Sequence, residues 1–597
     1  MLHVKELMDY FVTYFKNNKD VIPQTTFLII LSVINRIYMI SIPSFMIWIV
    51  VTNGHSSTKA LIICLYVLFG LILESLHGLW SYKNNKSVFL YRYKKIPEIS
   101  EKVLRINYGL LESGDGQLKI DQAYEAVYNG NNAGVERYLN RCINLIEQSF
   151  LLLVCVVICC AVSLKATVAL LLLICIGATF QKRTVIWLEK NKSLNDKLNV
   201  FQKYLVRQLQ KVSNGQEFAF HDIPQWFTDC FKNSMQSKIE WEVKHQNNLA
   251  KNNVIVQTIY IISQMVVFFC VYSITNEWGL NISLAVLFVN IMMLLRTLLL
   301  EILDTLQDVK TNRVYVRDLT AFEELENEYE GEGKDGFEVE TIEFINVSYK
   351  PHNAEKAILS NVSFKAKKGD RVALVGSNGA GKSTLIKLIC GLYSPTEGII
   401  LVNNRNINEY NHIEKEAMFS TVFQDNSIFS FSVAENVSCC VKEMTDYDLV
   451  AECLEKAGLN AEMNDISNFM YRIIDCNCED GIGLSGGQKQ KLFIARMLYN
   501  LKSCILLDEP TSSLDPISEA ELYNTYSKIA KNRISFFVSH RLGSTQFCNL
   551  ILVIDSGRIC EYGCHEELMQ RRGYYYEMYN TQKKAYLNDM EVCGEIK

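Results

Sequence analysis

Six long apolar stretches in the first half of the chain constrain its fold more than any other feature. Each is about 20 residues or longer, enough for a helix to cross a membrane core of about 30 Å. The first is too long, and too closely followed by the second, to be a cleaved signal peptide. The sequence therefore predicts an all-helical transmembrane domain over residues 1–320. The six predicted spans are 23–51, 60–80, 143–164, 166–187, 254–275 and 281–303.

The connections between these stretches alternate in length and charge. Those near 52–59, 164–166 and 276–280 are short, and those near 81–142 and 188–253 are long and rich in Lys and Arg. Because basic loops stay on the cytoplasmic side, the pattern predicts a multi-pass protein of the cell membrane with both termini in the cytoplasm. Ahead of the first span, an amphipathic helix is expected to lie on the membrane surface, with apolar residues at Leu7, Tyr10, Phe11, Tyr14 and Phe15.

Some charged residues fall inside the predicted spans, among them Arg36, Glu74, Glu147, Arg296 and Glu301. Charge at membrane depth is costly and usually faces a bundle interior or a wet cavity. Two interpretations stay open. The charges either line a substrate cavity, with Arg36 and Arg296 as the deepest candidates, or pair with one another between helices.

The two halves of the chain differ in charge. Residues 1–320 contain 32 Lys and Arg against 24 Asp and Glu, and residues 321–597 contain 28 against 41. The net charge of −5 is therefore the average of a basic half and an acidic half, and it gives no indication of a nucleic-acid partner. An acidic, glycine-bearing linker is predicted at 321–336. A second domain is predicted at 337–583, and a C-terminal tail at 584–597.

A phosphate-binding loop is the clearest motif of the second half. A short apolar strand, Val372–Val375, leads into a G-x-x-x-x-G-K-S sequence that opens a helix. Its glycines let the backbone wrap around phosphate, while Lys382 supplies charge and Ser383 a hydroxyl for Mg²⁺. The predicted nucleotide-binding residues here are Gly376, Ser377, Asn378, Gly379, Ala380, Gly381, Lys382, Ser383 and Thr384.

Two further motifs support a nucleotide hydrolase. An apolar strand ends in two carboxylates, of which Asp508 is predicted to hold Mg²⁺ and Glu509 to orient or deprotonate the attacking water. The sequence LSGGQ stands 23 residues before Asp508, directly ahead of a helix. Its Ser485, Gly486, Gly487 and Gln488 are predicted to contact a γ-phosphate.

Over nearly its whole length the chain resembles an exporter-type ATP-binding cassette (ABC) transporter, a half-transporter with six spans fused to one cassette. The fold class implied is a multidomain chain, all-α in the membrane and α/β P-loop NTPase in the cassette. The resemblance implies that Tyr349 stacks on adenine and that Gln424 senses Mg²⁺ and water. It also implies that Asp515 lies in a loop crossing between cassettes and that His540 contacts the γ-phosphate. Catalysis is thus assigned to Glu509, His540 and Gln424, and the metal to Ser383, Gln424 and Asp508.

The resemblance also implies ATP and Mg²⁺ as cofactors and a dimer, because LSGGQ of one cassette completes the ATP site of another. Intact Glu509 and LSGGQ favour a homodimer, and a heterodimer stays open. Short coupling helices are expected at Asn107–Gln117 and Gln216–Trp226. The partners expected are the lipid bilayer and a transported substrate. Export of a peptide or modified peptide by alternating access is the leading interpretation. Lipid or multidrug export, an ATP-gated channel and an importer are the alternatives.

Overall fold

The computed structural model describes residues 2–594 with short gaps. The gaps are 53–54, 211–214, 222, 279–280, 326–336, 352–353, 460–465, 475–480, 511–515 and 539–541. Two compact units emerge. The first comprises 1–103 and 118–325, and the second comprises 104–117 and 326–597. The predicted linker, 321–336, falls mostly in a gap, and its first residues continue the last helix of the first unit to Glu323.

The first unit is entirely helical. Its main helices are α1 (Leu2–Asn17), α2 (Val21–Val51), α3 (Ser56–Arg105), α5 (Gly114–Tyr128), α6 (Val135–Val162), α7 (Leu164–Gln210), α8 (Gly215–Phe220), α9 (Ile223–Trp278) and α10 (Ile282–Glu323). A five-residue helix, α4 (Tyr108–Glu112), lies in the segment 104–117, which belongs to the second unit. The helices α3, α7 and α9 have 50, 47 and 56 residues, so at about 1.5 Å per residue each is longer than a membrane is thick.

Five helices of the described residues, α2, α3, α6, α9 and α10, are long and apolar enough to cross a membrane. The remaining predicted span, 166–187, falls in α7, where many side chains lie outside the described set. The chain is thus a multi-pass membrane protein with several long apolar helices.

The N-terminal helix α1 buries its aromatic face against other helices of the same unit. Tyr14 is fully buried, and its ring packs edge-on against Tyr91 of α3 at 4.9 Å. Tyr10 packs edge-on against Tyr138 of α6 at 6.4 Å. The amphipathic pattern expected at the membrane surface therefore reflects, in large part, packing against α3 and α6.

The second unit contains two β-sheets. An antiparallel sheet has the order β2-β1-β4-β5, and a six-stranded sheet has the order β10-β9-β3-β8-β7-β6. In the larger sheet all neighbouring strands are parallel except β10. The strands are β1 (Thr341–Tyr349), β2 (Leu359–Lys367), β3 (Arg371–Gly376), β4 (Glu397–Val402), β5 (Arg405–Asn406), β6 (Phe419–Val422), β7 (Cys504–Asp508), β8 (Ile534–Val538), β9 (Leu550–Asp555) and β10 (Arg558–Gly563).

Helices cover both faces of the larger sheet, and for this reason its central strands are largely apolar. All five residues of β7 and of β8 are buried. The helices of this unit are α11 (Lys382–Ile389), α12 (His412–Met418), α13 (Val433–Ser438), α14 (Tyr447–Lys456), α15 (Ile466–Phe469), α16 (Gly486–Tyr499), α17 (Pro516–Ile529), α18 (His565–Arg571) and α19 (Tyr574–Gly594). The predicted order of a helical membrane region followed by an α/β domain is confirmed.

Candidate nucleotide-binding site

Four parallel strands of the larger sheet end at one edge and carry the sequence motifs there. Leu374 of β3 is level with Val538 of β8, which is level with Asp508 of β7. Val422 of β6 is level with Leu507 of β7. The carboxyl ends of parallel strands are where ligands bind in open α/β sheets. The phosphate loop, the acidic pair and the segment with Gln424 therefore converge at this edge.

The phosphate loop adopts a conformation that requires glycine at two positions. At Gly376 a Cβ atom would lie 2.1 Å from the carbonyl oxygen of Ile554, a distance that no side chain tolerates. At Gly381 the backbone is left-handed, with φ +101°, and caps the start of α11. The loop thus delivers the positive end of α11 to the site, where anionic groups are stabilised.

Lys382 is the first residue of α11 and folds back over the loop. Its Nζ donates hydrogen bonds to the carbonyl oxygens of Gly376, at 3.0 Å, and Ser377, at 2.9 Å. The side chain is 6% exposed, and burial lowers its pKa against the attraction of Glu509 and Asp508. The ammonium group of Lys382 is therefore held against the loop. A bound phosphate would replace the two carbonyl oxygens as its hydrogen-bond partner.

A cavity of about 970 Å³, open to solvent, lies in front of the loop. Glu509 lines it from one side, and its carboxylate lies 3.5 Å from the Nε2 of Gln424. Glu509 has φ +52°, an uncommon backbone conformation of the kind that clusters at functional sites. Asp508, 3% exposed, ends β7 directly beside it. The lining residues are Ile358, Asn378, Gly379, Gly381, Lys382, Ser383, Gln424 and Glu509.

The LSGGQ motif forms the N-terminus of α16. The Ser485 hydroxyl accepts a hydrogen bond from the Gln488 backbone N–H at 3.2 Å, and the Gln488 side chain accepts one from the Ser485 N–H at 3.0 Å. This capping box explains why Ser and Gln begin the helix. Ser485 and Gly486 are exposed, and no LSGGQ residue is among those that line the cavity at the phosphate loop. The motif is therefore not part of the described wall of the cavity at the chain's own phosphate loop.

Tyr349 occupies a different place from the other predicted site residues. It ends β1, its ring stacks on Tyr393 with centroids 4.7 Å apart and an interplanar angle of 8°, and it packs against the core of the unit. It is not among the residues that line the cavity. Its predicted contact with adenine stays a prediction, and the described contacts assign the ring a packing role.

Some predicted site residues lie outside the described part of the chain. They are His540 and Asp515. The role assigned to each remains a prediction from the motif. Ile358, in contrast, lines the cavity although it belongs to no recognisable motif, because the turn before β2 brings it against the loop. An apolar residue nine positions after the end of β1 gives no sequence signal that it lines a nucleotide cavity.

The segment around α4 packs against the helix that begins at the phosphate loop. Glu112 Oε1 lies 3.1 Å from the Nζ of Lys387 on α11, and the other oxygen of Glu112 accepts a hydrogen bond from the Tyr393 hydroxyl. Although partial burial works against it, hydrogen bonds from Tyr393 and Lys387 lower the pKa of Glu112. The expected coupling region 107–117 therefore contacts α11 at Lys387, five residues after Lys382.

The two predicted substrate-cavity residues have different surroundings in the first unit. Arg36 lies 3.0 Å from Glu301 and 3.9 Å from Glu147, so it pairs between helices α2, α6 and α10. These contacts match the helix-pairing interpretation for Arg36. Arg296 is 5% exposed and lines a separate cavity between α7, α9 and α10.

Comparison with known proteins agrees with this geometry. Residues 359–512 match the family model described as ABC transporter. The subtilin transport ATP-binding protein SpaT of Bacillus subtilis is 32% identical over 297 residues, 49% of this chain and 48% of that protein. The nisin transport ATP-binding protein NisT of Lactococcus lactis subsp. lactis is 32% identical over 244 residues, 41% of each. The ATP-dependent lipid A-core flippase of Idiomarina loihiensis is 33% identical over 242 residues, 40% of this chain and 41% of that protein.

The matched part of the chain spans about half the length, or less, of these curated relatives. The fold is similar to that of a solved structure described as a bacterial Atm1-family ABC exporter with ATP bound. The match covers 95% of this chain and 99% of that chain, with a TM-score of 0.76 and 19% sequence identity. That likeness establishes the fold over nearly the whole length. Residues 359–512 therefore belong to the ABC transporter family, and over nearly its whole length the chain has the fold of an ABC exporter, with a helical transmembrane region followed by an α/β ATPase domain.

Proposed function

We propose that the protein hydrolyses ATP in a dimer and uses the energy to export a substrate across the cell membrane. The observation that carries the proposal is the convergence of Lys382, Gln424 and Glu509 on one cavity. The phosphate loop with the Lys382 ammonium group is suited to hold a nucleotide. The Glu509 carboxylate, 3.5 Å from the side-chain amide of Gln424, is suited to position water. A purely structural loop needs neither Glu509 nor Gln424 at its mouth.

The donor set of this edge also fits Mg²⁺, which prefers hard oxygen ligands and keeps some of its waters. Ser383 would supply a hydroxyl, Asp508 a carboxylate and Gln424 an amide oxygen. Bound there, Mg²⁺ would neutralise charge on the β- and γ-phosphates. Glu509 accepts a proton from, or orients, the attacking water, and Lys382 holds the phosphate oxygens.

Dimerisation is part of the proposal because the cavity, as the described residues form it, is open to solvent. LSGGQ is exposed and separate from the cavity at its own phosphate loop. A second cassette facing the first would place its Ser485 over the open side of that cavity. Closure with ATP between the cassettes, and reopening after hydrolysis, would tilt the spans between inward-facing and outward-facing states. ATP drives this shift only if it binds the closed state better.

A peptide or modified peptide is the proposed substrate. Two relatives are named for subtilin and nisin transport, and the match to SpaT is the longest of the three alignments given above. A lipid is the second candidate, since the lipid A-core flippase is as similar in sequence.

Inside-out membrane vesicles test the function directly. We expect ATP-dependent accumulation of a labelled peptide in vesicles that contain the protein, and none with the variant Glu509→Gln. Accumulation of a labelled lipid without the peptide would favour the second candidate. Peptide leaving the vesicles on ATP addition would overturn export, and an ionic current without hydrolysis would indicate a channel.

A further inference from the structure

A carboxylate of α3 meets an amide near the middle of α2. The Nδ2 of Asn35 donates a hydrogen bond to the Oε2 of Glu74 at 2.7 Å. Asn35 stands 14 residues after Val21 and 16 residues before Val51, the two ends of α2, so it lies about 21 Å and 24 Å from them along the helix axis. The contact is therefore at membrane depth, where a charged side chain is costly unless a partner or water balances it.

Glu74 has no ion-pair partner among the described residues. Its hydrogen bond within this part of the chain is the one that Asn35 donates. The neighbouring guanidinium does not supply the missing charge, because Arg36 is shared between Glu147, at 3.9 Å, and Glu301, at 3.0 Å. Three carboxylates of this group are thus matched by one guanidinium, and the excess negative charge favours a cation.

The amide oxygen of Asn35 is a second group that lacks a complement. Asn35 is 8% exposed, and its Oδ1 has no hydrogen-bond partner in the part of the chain that the structure describes. The amide nitrogen has to face Glu74, because an ionised carboxylate accepts hydrogen bonds and cannot donate them. The oxygen is therefore left as a buried acceptor beside that carboxylate, which is unfavourable until a donor reaches it.

The space beside Glu74 is open. Gly78 follows Glu74 by four residues, so the two lie on the same face of α3, and a Cβ atom at Gly78 would meet no atom within 4 Å. Glu74 itself is exposed. Since lipid is a poor environment for an ionised carboxylate, an exposed Glu74 at this depth has to face water, a second subunit or a ligand.

We propose that Glu74 and the Oδ1 of Asn35 bind a primary ammonium group of the transported substrate. Such a group has three N–H donors, and it would donate to the carboxylate and to the amide oxygen while it supplies the missing positive charge. A quaternary ammonium supplies the charge but no donor, so it should be the poorer ligand. The inference deepens the proposed export function, on which it rests for the step from binding to transport, by giving one chemical group of the substrate.

Binding in the absence of ATP separates this inference from transport. The full-length protein in nanodiscs of neutral phosphatidylcholine is titrated with radiolabelled decylamine, with empty nanodiscs as the blank. Competition is measured with decyltrimethylammonium, decanol and decanoate. We expect saturable binding of decylamine, about tenfold weaker competition by decyltrimethylammonium, and little by decanol or decanoate. Absence of saturable binding would overturn the proposal, and so would competition by decyltrimethylammonium as strong as that by unlabelled decylamine.

Four variants separate charge, shape and folding. Glu74→Gln keeps the size of the side chain but removes its charge, and it should weaken decylamine binding about tenfold or more. Asn35→Leu removes the amide oxygen and should also weaken binding. Gly78→Leu keeps both groups, and its side chain, which leans toward the preceding turn of the helix, should cover Glu74 and abolish binding. Glu98→Gln removes an acid farther along the same helix, where it pairs with Lys95, and should leave binding unchanged.

Folding of each variant is checked by gel filtration and by ATP binding. If Asn35→Leu does not fold, Glu74→Gln and Gly78→Leu decide the question, since leucine is a better helix former than glycine. Wild-type affinity for decylamine in Gly78→Leu would contradict the proposed site.

A cation of a second subunit is the competing partner for Glu74. In that case Glu74→Gln should weaken the dimer and leave decylamine binding at wild-type strength, and this result would overturn the proposal. Wild-type protein that binds decylamine but shows no ATP-driven transport would count against the proposed function and leave this binding site standing.

Discussion

The carboxylate of Glu509 lies 3.5 Å from the side-chain amide nitrogen of Gln424. The two residues follow different strands, β7 and β6, that are neighbours in the sheet. Both residues line the cavity that Lys382 also lines, and the pair is well placed to hold a water molecule against a γ-phosphate.

The variant Glu509→Gln should bind ATP with near-normal affinity and lose at least about a hundredfold in turnover, because the amide cannot accept the proton of the attacking water. Steady-state ATPase assays and nucleotide-binding titrations measure the two effects. Glu338→Gln, at an exposed ion pair with Lys368 on the same domain, is the matched control. Near-normal hydrolysis by Glu509→Gln would remove Glu509 from its proposed role.

Tyr349 offers a test between packing and adenine contact. If the ring only packs on Tyr393, Tyr349→Ala and Tyr393→Ala should lower the melting temperature similarly and leave the KM for ATP unchanged. An aromatic pair contributes about 0.5–1.5 kcal/mol beyond its buried area, so the effect on stability is measurable. If Tyr349 stacks on adenine, only its own substitution should raise the KM for ATP. A raised KM for ATP confined to Tyr349→Ala would therefore support the adenine role.

Glu112 is predicted to couple the segment around α4 to the nucleotide site. Glu112→Gln keeps the size of the side chain but removes the charge that faces Lys387. We expect basal ATPase and ATP affinity to stay near wild type, while stimulation of ATPase by the substrate falls. Asp115→Asn, in the same segment, is the control. Retention of full stimulation in Glu112→Gln would show that the ion pair has no coupling role.

The pH dependence of the contact between Glu112 and Lys387 follows from the direction in which the pKa of Glu112 is shifted. The folded-state pKa of Glu112 is lowered, so the stabilisation is present above the pKa of the unfolded carboxyl and is lost as the pH falls through the folded value. Between pH 6 and 8 the contact should therefore be insensitive to pH, and below about pH 4 it should weaken. The difference in thermal stability between wild type and Glu112→Gln, measured across that range, tests this.

The ion pair between Arg36 and Glu301 is predicted to hold α2 against α10. Either single substitution, Arg36→Met or Glu301→Gln, removes this ion pair at membrane depth and should lower the melting temperature. The double variant should lose less than the sum, with a coupling of about 0.5–3 kcal/mol. Thermal unfolding in detergent measures the cycle. Additive losses, combined with altered substrate stimulation in Arg36→Met alone, would instead support a substrate role for Arg36.

Sequence reasoning identified the phosphate loop and the acidic pair because each is a local motif attached to an apolar strand. The long helices could be predicted equally well, since the length of an apolar stretch alone indicates a membrane span. Contacts between distant parts of the chain could not be predicted in this way. Nothing in the sequence around Arg36 indicates that Glu301, 265 residues later, is its partner. The adenine role of Tyr349 was implied by the family resemblance, which does not say which face of a strand an aromatic ring occupies.

Complementation between two inactive subunits tests the central claim, that the phosphate loop of one copy works with the LSGGQ of another. Lys382→Ala disables a phosphate loop, and Ser485→Arg disables a signature motif. In a mixed dimer both defects fall in one site, and the other site is intact. Dimers isolated with two different affinity tags should regain up to about half of the wild-type ATPase rate, while each parental homodimer stays inactive. Mixed dimers as inactive as the parents would contradict the account.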